Sequence, residues 1–136
     1  MGDKKVLDSK TAKVLVVDDM ILGRISSRNH LKELGFVDIQ LASTGTEAWR
    51  HIEDANGKGC PFQLILCDWV MPEMSGIELI RKIKSQNWKI APSVILVTAE
   101  SDLELVKQAL EEGALGYVRK PLSLDSLRAA LEKLTA

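Results

Sequence analysis

Five polar side chains lie at or just after the ends of short strand-like runs in this sequence. They are Asp18, Asp19, Asp68, Thr98 and Lys120, the last of which follows the run at 116–119. Apolar runs of this length, bounded by turn signals, are typical of buried strands in a parallel sheet. The carboxyl ends of parallel strands share one edge, where open α/β sheets place their chemistry. We therefore expect these five side chains to lie close together.

Such a group could bind a hard cation and carry out phosphoryl chemistry. Three neighbouring carboxylates repel one another unless a cation offsets their charge. Asp19, Asp68 and a nearby backbone carbonyl offer only oxygen ligands, which suit Mg²⁺ better than zinc. The cation and Lys120 could neutralise an incoming phosphoryl group, while the Thr98 hydroxyl donates a hydrogen bond to it. Asp68, at the centre, could be the nucleophile that forms an aspartyl phosphate.

The elements that position these residues alternate regularly along the chain. Strands are predicted at 13–17, 37–42, 64–67, 93–97 and 116–119, and helices at 21–34, 44–55, 76–85, 103–113 and from Leu124 onward. This alternation requires right-handed crossovers and a parallel sheet with helices on both faces. The predicted fold is a doubly wound (βα)₅ α/β domain with strand order 2-1-3-4-5. That order places Asp18 and Asp19 beside Asp68.

Composition limits the classes of protein to consider. At 136 residues, 46% of them hydrophobic, the chain suits one domain, predicted over 13–136 after a flexible N-terminal arm at 1–12. A formal net charge of −1 with mixed signs along the chain argues against nucleic-acid binding. No apolar run is long enough to span a bilayer, so we expect no membrane insertion and a cytoplasmic location. Cys60 and Cys67 would lie roughly 20 Å apart along an extended chain, too far for a disulfide.

Four motifs together resemble a known family. They are Val-Val-Asp-Asp at 16–19, Asp-Trp-Val-Met-Pro-Glu-Met-Ser-Gly at 68–76, Val-Thr-Ala-Glu at 97–100 and Gly-Tyr-Val-Arg-Lys-Pro at 116–121. In this order they resemble the receiver domain of two-component response regulators. The similarity extends from Lys13 to the C-terminus and is greatest to the stand-alone chemotaxis members of the CheY type. It implies the flavodoxin-like, CheY-like fold.

The resemblance assigns roles around the phosphoacceptor. It implies that Asp68 accepts a phosphoryl group from a histidine kinase or a phosphotransfer protein. Asp19 and Asp68 would bind Mg²⁺ through their side chains and Val70 through its backbone carbonyl, with Asp18 acting through water. The protein would be a signalling protein that catalyses only its own phosphorylation and dephosphorylation.

The resemblance also implies a switch and its partners. Thr98 and Lys120 would contact the phosphoryl group, and the Lys120–Pro121 bond is a candidate cis peptide. Thr98 and Tyr117 would form the switch, although Tyr117 could equally be a half-buried strand aromatic. Phosphorylation would bias the face made by the fourth helix, fifth strand and fifth helix toward an output protein, such as a flagellar switch component. A phosphatase is a possible further partner.

Other interpretations remain open. A phosphatase of the haloacid-dehalogenase type would need a second acid two residues after its nucleophile, where this chain has Val70. A flavodoxin-like electron carrier would need a hydroxyl-rich phosphate loop, and Asp18 and Asp19 would repel that phosphate. These two acids could also be a simple helix cap. Chemotaxis receivers of the CheY type carry Asn at position 70, so a relay intermediate or phosphate sink outside chemotaxis is an alternative. A degenerate receiver acting as a scaffold is another.

Overall fold

The computed structural model describes residues 7–99 and 103–135 of the chain. The elements are β1 (Lys13–Val17), α1 (Ile21–Glu33), β2 (Asp38–Ala42), α2 (Gly45–Gly57), β3 (Leu64–Asp68), α3 (Gly76–Ser85), β4 (Ser93–Thr98), α4 (Leu103–Glu112), β5 (Gly116–Arg119) and α5 (Leu124–Thr135). The strands form one parallel sheet in the order β2-β1-β3-β4-β5, which confirms the predicted topology.

Side chains of the inner strands alternate between two cores, one on each face of the sheet. In β1, Val14 and Val16 pack in the core formed with α1 and α5, while Leu15 and Val17 pack in the core formed with α2 and α3. The inner strands β1, β3 and β4 repeat this pattern. Burial on both faces explains why these strands read as continuous apolar runs. The more polar β2 lies at an edge.

The helices that follow β2 and β3 begin with side-chain caps. The Thr44 hydroxyl accepts a hydrogen bond from the Glu47 backbone amide, and Ser75 accepts one from Glu78. Each cap satisfies a backbone donor that the first helical turn leaves unpaired. The N-cap residue of α1, Met20, makes no such side-chain bond. The start of α1 must therefore be held by other contacts.

Helix ends follow the glycine signals in part. Gly35 after α1 and Gly113 after α4 both have positive φ, at 99° and 120°, as expected of left-handed C-caps. The predicted end of α2 at Ala55 was too early, because the helix continues to Gly57. The backbone amide of Lys58 still reaches the Asp54 carbonyl at 3.1 Å, so the helical hydrogen bonds extend past the predicted loop.

The hydrogen-bonded ladder continues beyond the strands and aligns their carboxyl ends. The backbone amide of Asp18 donates to Ala42 at 3.1 Å, and that of Trp69 donates to Val97 at 3.0 Å. The amide of Lys120 donates to the Thr98 carbonyl at 2.8 Å. These bonds hold the loops after β1, β3 and β5 at one edge of the sheet.

The N-terminal segment is only partly covered, because residues 1–6 lie outside the described ranges. Ala12 is fully buried, and Leu7 packs against the core on the α1 and α5 side. The flexible arm at 1–12 stays a prediction.

Two further expectations concern the cysteines and the membrane. Cys60 is exposed, Cys67 is buried, and both are free thiols, as expected. Within the two described ranges, no helix has the length and apolar character needed to cross a membrane.

Candidate phosphoacceptor and metal site

A cleft of about 360 Å³ opens at the carboxyl edge of the sheet. Its lining brings together five of the predicted site residues, Asp19, Asp68, Val70, Thr98 and Lys120, and adds Met20 and Ala99. Tyr117 is not among the described residues that line it, and Asp18 lines an adjacent cavity. The loops after β1, β3, β4 and β5 thus converge on one space, with Asp68 inside it.

Asp68 is buried and paired with a lysine. Its side chain is 7% exposed, and one carboxylate oxygen, Oδ2, accepts a hydrogen bond from Lys120 Nζ at 3.0 Å. Burial raises the pKa of the Asp68 carboxyl, the Lys120 ammonium opposes that increase, and the charges of Asp18 and Asp19 add to it. A buried carboxylate of this kind needs a nearby cation to stay ionised, and Lys120 supplies one.

The acidic cluster has the composition of a site for a hard cation. One carboxylate oxygen from each of Asp18, Asp19 and Asp68 lies within 4.8 Å of the others. Asp19 is exposed to solvent, while the other two are buried. The donor set consists of oxygens alone, so these residues fit Mg²⁺, which also needs room for several waters. Val70 lines the same cleft, with an exposed side chain.

Asp18 is held by the first turn of α1. Its Oδ1 atom accepts a hydrogen bond from the Met20 backbone amide at 2.9 Å. Its backbone carbonyl accepts one from a guanidinium nitrogen of Arg24 at 2.8 Å. The sequence interpretation missed Arg24, since no spacing rule links an arginine to a carbonyl six residues earlier.

Gly76 allows α3 to begin directly against the phosphoacceptor strand. Its backbone amide donates to the Trp69 carbonyl at 2.9 Å. A Cβ atom on Gly76 would lie 2.9 Å from the Asp68 carbonyl oxygen and 2.7 Å from a Leu96 methyl group. The motif at 68–76 included this glycine, but its role in close packing is visible only in three dimensions.

The two predicted switch residues lie in different environments. Thr98 is buried at the end of β4 and lines the cleft. Tyr117 lies on the edge strand β5, opposite Leu96 in the register, and is 37% exposed. The Lys120–Pro121 peptide that follows β5 is cis, as the resemblance implied.

The sheet order, the lysine-paired aspartate and the acidic cluster define a receiver, and comparison with known proteins agrees. The family model for the response regulator receiver domain matches residues 14–132. The chain therefore belongs to the family of response regulator receiver domains.

Its relatives include chemotaxis proteins. The chain is 36% identical over 120 residues to chemotaxis protein CheY1 of Helicobacter pylori strain J99, covering 88% of this chain and 94% of the relative. It is 34% identical over 122 residues to CheY of Pseudomonas aeruginosa, covering 90% and 94%. A chain of the CheX–CheY–BeF₃–Mg²⁺ complex from Borrelia burgdorferi superimposes with a TM-score of 0.82 at 25% identity, covering 92% of this chain and 90% of that one. The protein is thus a CheY-like receiver of a two-component system.

Proposed function

We propose that this receiver accepts a phosphoryl group on Asp68 from the phosphohistidine of a histidine kinase or phosphotransfer protein. The observation that carries the proposal is the Asp68–Lys120 pair, 3.0 Å apart, inside a cleft that also holds Asp19 and Thr98. The products would be the aspartyl phosphate and the free donor histidine. The protein would act in the cytoplasm as a signalling switch and would catalyse only its own phosphorylation and dephosphorylation.

The transfer exchanges one bond to phosphorus for another. An oxygen of Asp68 attacks the phosphorus, and the bond between phosphorus and the donor imidazole nitrogen breaks, leaving its electron pair on that nitrogen. Lys120 already contacts Asp68 Oδ2 and can follow the incoming negative charge with its ammonium group. Thr98, at the end of β4, can donate its hydroxyl to a phosphoryl oxygen.

The acidic residues would hold Mg²⁺ beside the acceptor. Asp19 and Asp68 would bind it through carboxylate oxygens, Val70 through its backbone carbonyl, and Asp18 through water. When bound, the cation neutralises charge on the phosphoryl oxygens. The close approach of the three carboxylates supports this proposal, because burial and then the charges of Asp18 and Asp19 raise the pKa of the Asp68 carboxyl, and a cation would offset both effects. The Borrelia burgdorferi CheX–CheY complex, which contains Mg²⁺, supports it further.

Phosphorylation would then change a protein-binding face. Thr98 would move toward the phosphoryl group and leave space for Tyr117 to turn inward. Helix α4 and the loop before β5 support a binding role for this side of the protein, because they expose apolar side chains at Leu103, Leu110 and Leu115. Burial of Tyr117 would change the shape of that face and bias it toward an output partner.

The CheY relatives support a chemotaxis or motility role, with an output protein such as a flagellar switch component. The presence of CheX in a complex with the Borrelia burgdorferi relative supports a further protein partner for this chain. The phosphatase implied by the resemblance is part of the proposal. The net charge of −1, with mixed signs along the sequence, argues against a nucleic-acid partner.

A second candidate is a relay intermediate or phosphate sink outside chemotaxis. It is favoured by Val70, an apolar side chain that is 77% exposed beside the acceptor, where CheY-type receivers carry Asn. Transfer of the phosphoryl group from Asp68 onward to a second histidine would support this candidate. Phosphorylation-dependent binding to a flagellar switch protein would support the first.

Acid-quenched intact mass spectrometry tests the phosphoacceptor. The protein and an Asp68→Asn variant are incubated with acetyl phosphate, with Mg²⁺ or with EDTA. We expect one phosphoryl adduct that requires both Mg²⁺ and Asp68. If early time points show no adduct on the unmodified protein, Asp68 is not an acceptor and a scaffold becomes the better interpretation.

A further inference from the structure

The two adjacent acids of the β1–α1 loop face different spaces. Asp19 lines the phosphoacceptor cleft. Asp18 lines a second cavity of about 430 Å³, bounded by α1 on one side and by Lys120 and Leu122 on the other. Asp18 is buried, whereas Asp19 is exposed. Something on the α1 side must therefore leave room for the Asp18 carboxylate.

That room exists because residue 23 is glycine. A Cβ atom on Gly23 would lie 2.8 Å from Asp18 Cγ and would overlap Oδ2 even more closely. Real Cβ atoms do not approach other atoms this closely, so the Asp18 carboxylate could not keep its position beside any larger residue. The nearest atoms all belong to the Asp18 side chain. A substitution would therefore displace the carboxylate rather than the helix.

The backbone conformation at residue 23 does not require glycine. Gly23 lies inside α1 with an ordinary helical conformation, so the positive φ that usually explains glycine is absent. Glycine within a helix lowers its stability relative to alanine. Helix α1 also lacks a side-chain cap. The first turn of α1 therefore carries a helix-weakening residue at the point where the Asp18 carboxylate needs space.

Hydrogen bonds fix Asp18 in the space that Gly23 leaves. The Met20 amide donates to Oδ1 at 2.9 Å, and Arg24 donates to the Asp18 carbonyl at 2.8 Å. An Asp18 oxygen in this position lies within 4.8 Å of the oxygens of Asp19 and Asp68. The first turn of α1 therefore sets how the third carboxylate of the cluster is presented.

We propose that Gly23 is a positioning residue for Asp18, and that its missing side chain sets the affinity of the acidic cluster for Mg²⁺. The inference rests on the proposed function only in taking this cluster as the cation site. Partners that orient a metal site from outside its ligand shell change affinity by roughly 10–100-fold when mutated. A Gly23→Ala substitution should break the Met20–Asp18 bond and weaken binding on that scale.

The test compares two helical glycines by titration calorimetry with MgCl₂ alone. We expect Gly23→Ala to raise the Kd for Mg²⁺ about tenfold or more. Gly57→Ala is the matched control, because a Cβ there meets no atom within 4 Å, and its Kd should match that of the unmodified protein. Denaturant unfolding in EDTA checks that both variants remain folded.

A double-mutant cycle shows whether Gly23 acts through Asp18. In an Asp18→Ala background the crowding is gone, so adding Gly23→Ala should not change the Kd further. The same pair should be more stable in EDTA than Asp18→Ala alone, because alanine favours the helix. An equal loss of affinity in both backgrounds would show that Gly23 does not act through Asp18.

The outcomes separate this inference from the proposed function. Mg²⁺ binding that is insensitive to Gly23→Ala overturns the positioning role and leaves phosphorylation of Asp68 as it was. Sensitive Mg²⁺ binding without any adduct on Asp68 supports the positioning role and overturns the proposed function. An unmodified protein that binds no Mg²⁺ overturns both.

Discussion

Helices α1 and α3 both follow strands that end in the site, yet they start in different ways. The start of α3 is stabilised by residues close in sequence. Ser75 accepts a hydrogen bond from the Glu78 amide at 3.2 Å, and Glu78 lies in the first turn. The start of α1 has no side-chain cap and no acid in its first turn. It is attached instead to the acidic loop, through Arg24 and the Met20 amide.

The difference indicates two tasks for the two loops. The α3 start stabilises the fold and packs directly against the strand end that carries Asp68. The α1 start leaves its acids available for a cation and depends on contacts with them. We therefore expect mutations on the α1 side to change cation binding, and mutations on the α3 side to change stability.

The largest expected effect is on the α1 side. Asp19→Asn should weaken Mg²⁺ binding by more than about 100-fold, since it removes a proposed ligand rather than a residue outside the ligand shell. Stability in EDTA should not fall, because one of three repelling charges is lost. Titration calorimetry and denaturant unfolding measure the two quantities. Asp125→Asn, at an exposed position of α5 where the carboxylate pairs with Arg128, is the control whose Mg²⁺ affinity should not change. If the Mg²⁺ affinity of Asp19→Asn were unchanged, the α1 side would not be the side that controls cation binding.

On the α3 side, Gly76→Ala should cost stability. The new methyl group would press on the Asp68 carbonyl and on Leu96, and overpacking of this kind costs about 1–3 kcal/mol. Denaturant unfolding in EDTA measures the loss, with Gly57→Ala as the control that has space for its methyl group. A Gly76→Ala protein as stable as the control would show that α3 can shift away from the acceptor strand.

The caps offer a smaller and more direct test. Ser75→Ala should lower the free energy of unfolding by about 1 kcal/mol, the usual cost of losing an N-cap side chain. Met20→Ala occupies the same position in α1 but removes no cap bond, so it should lose less. The Mg²⁺ affinity of Ser75→Ala should stay that of the unmodified protein. A marked change in that affinity would mean that the α3 start also sets the cation site.

The smallest effect that we expect is a pH dependence in EDTA. Burial raises the pKa of the Asp68 carboxyl, although Lys120 opposes the increase. The native protein then binds more protons than the unfolded chain, so its stability should fall as pH rises from about 4, the ordinary value for Asp, through the folded pKa. Asp68→Asn should remove this fall. Since Asp19 contributes to the increase, Asp19→Asn should reduce it. If the free energy of unfolding changed with pH in the same way in all three proteins, Asp68 would not be the group responsible for the fall in stability.

Much of the fold could be predicted from local pattern. The runs at β1, β3 and β4 are apolar because both faces of those strands are covered, and the polar run at β2 marks an edge. The end of α2 was predicted two residues too early, because a glycine near a helix end can either terminate the helix or complete it. The choice depends on the hydrogen bonds of the last turn.

The meeting of these residues at one edge of the sheet was predictable, and the geometry of their contacts was not. Short apolar runs that end in Asp18, Asp68 and Thr98 were enough to place these residues at one edge, because parallel strands share a direction. The sequence did not indicate that Asp18 and Asp19 line different cavities. Neither did it indicate that Tyr117 lies outside the cleft lining.

The sequence by itself therefore determined the order of elements, the parallel direction of the strands and the group of residues at the sheet edge, because these follow from periodicity and chain direction, whereas the strand order was adopted from other folds of five such units. Only the tertiary structure decided which carboxylate oxygen meets Lys120, why Gly76 must be small and how Gly23 makes room for Asp18. Those features are distances between atoms on packed elements. They depend on how closely a helix approaches a strand end, and no local pattern of residue types specifies that approach.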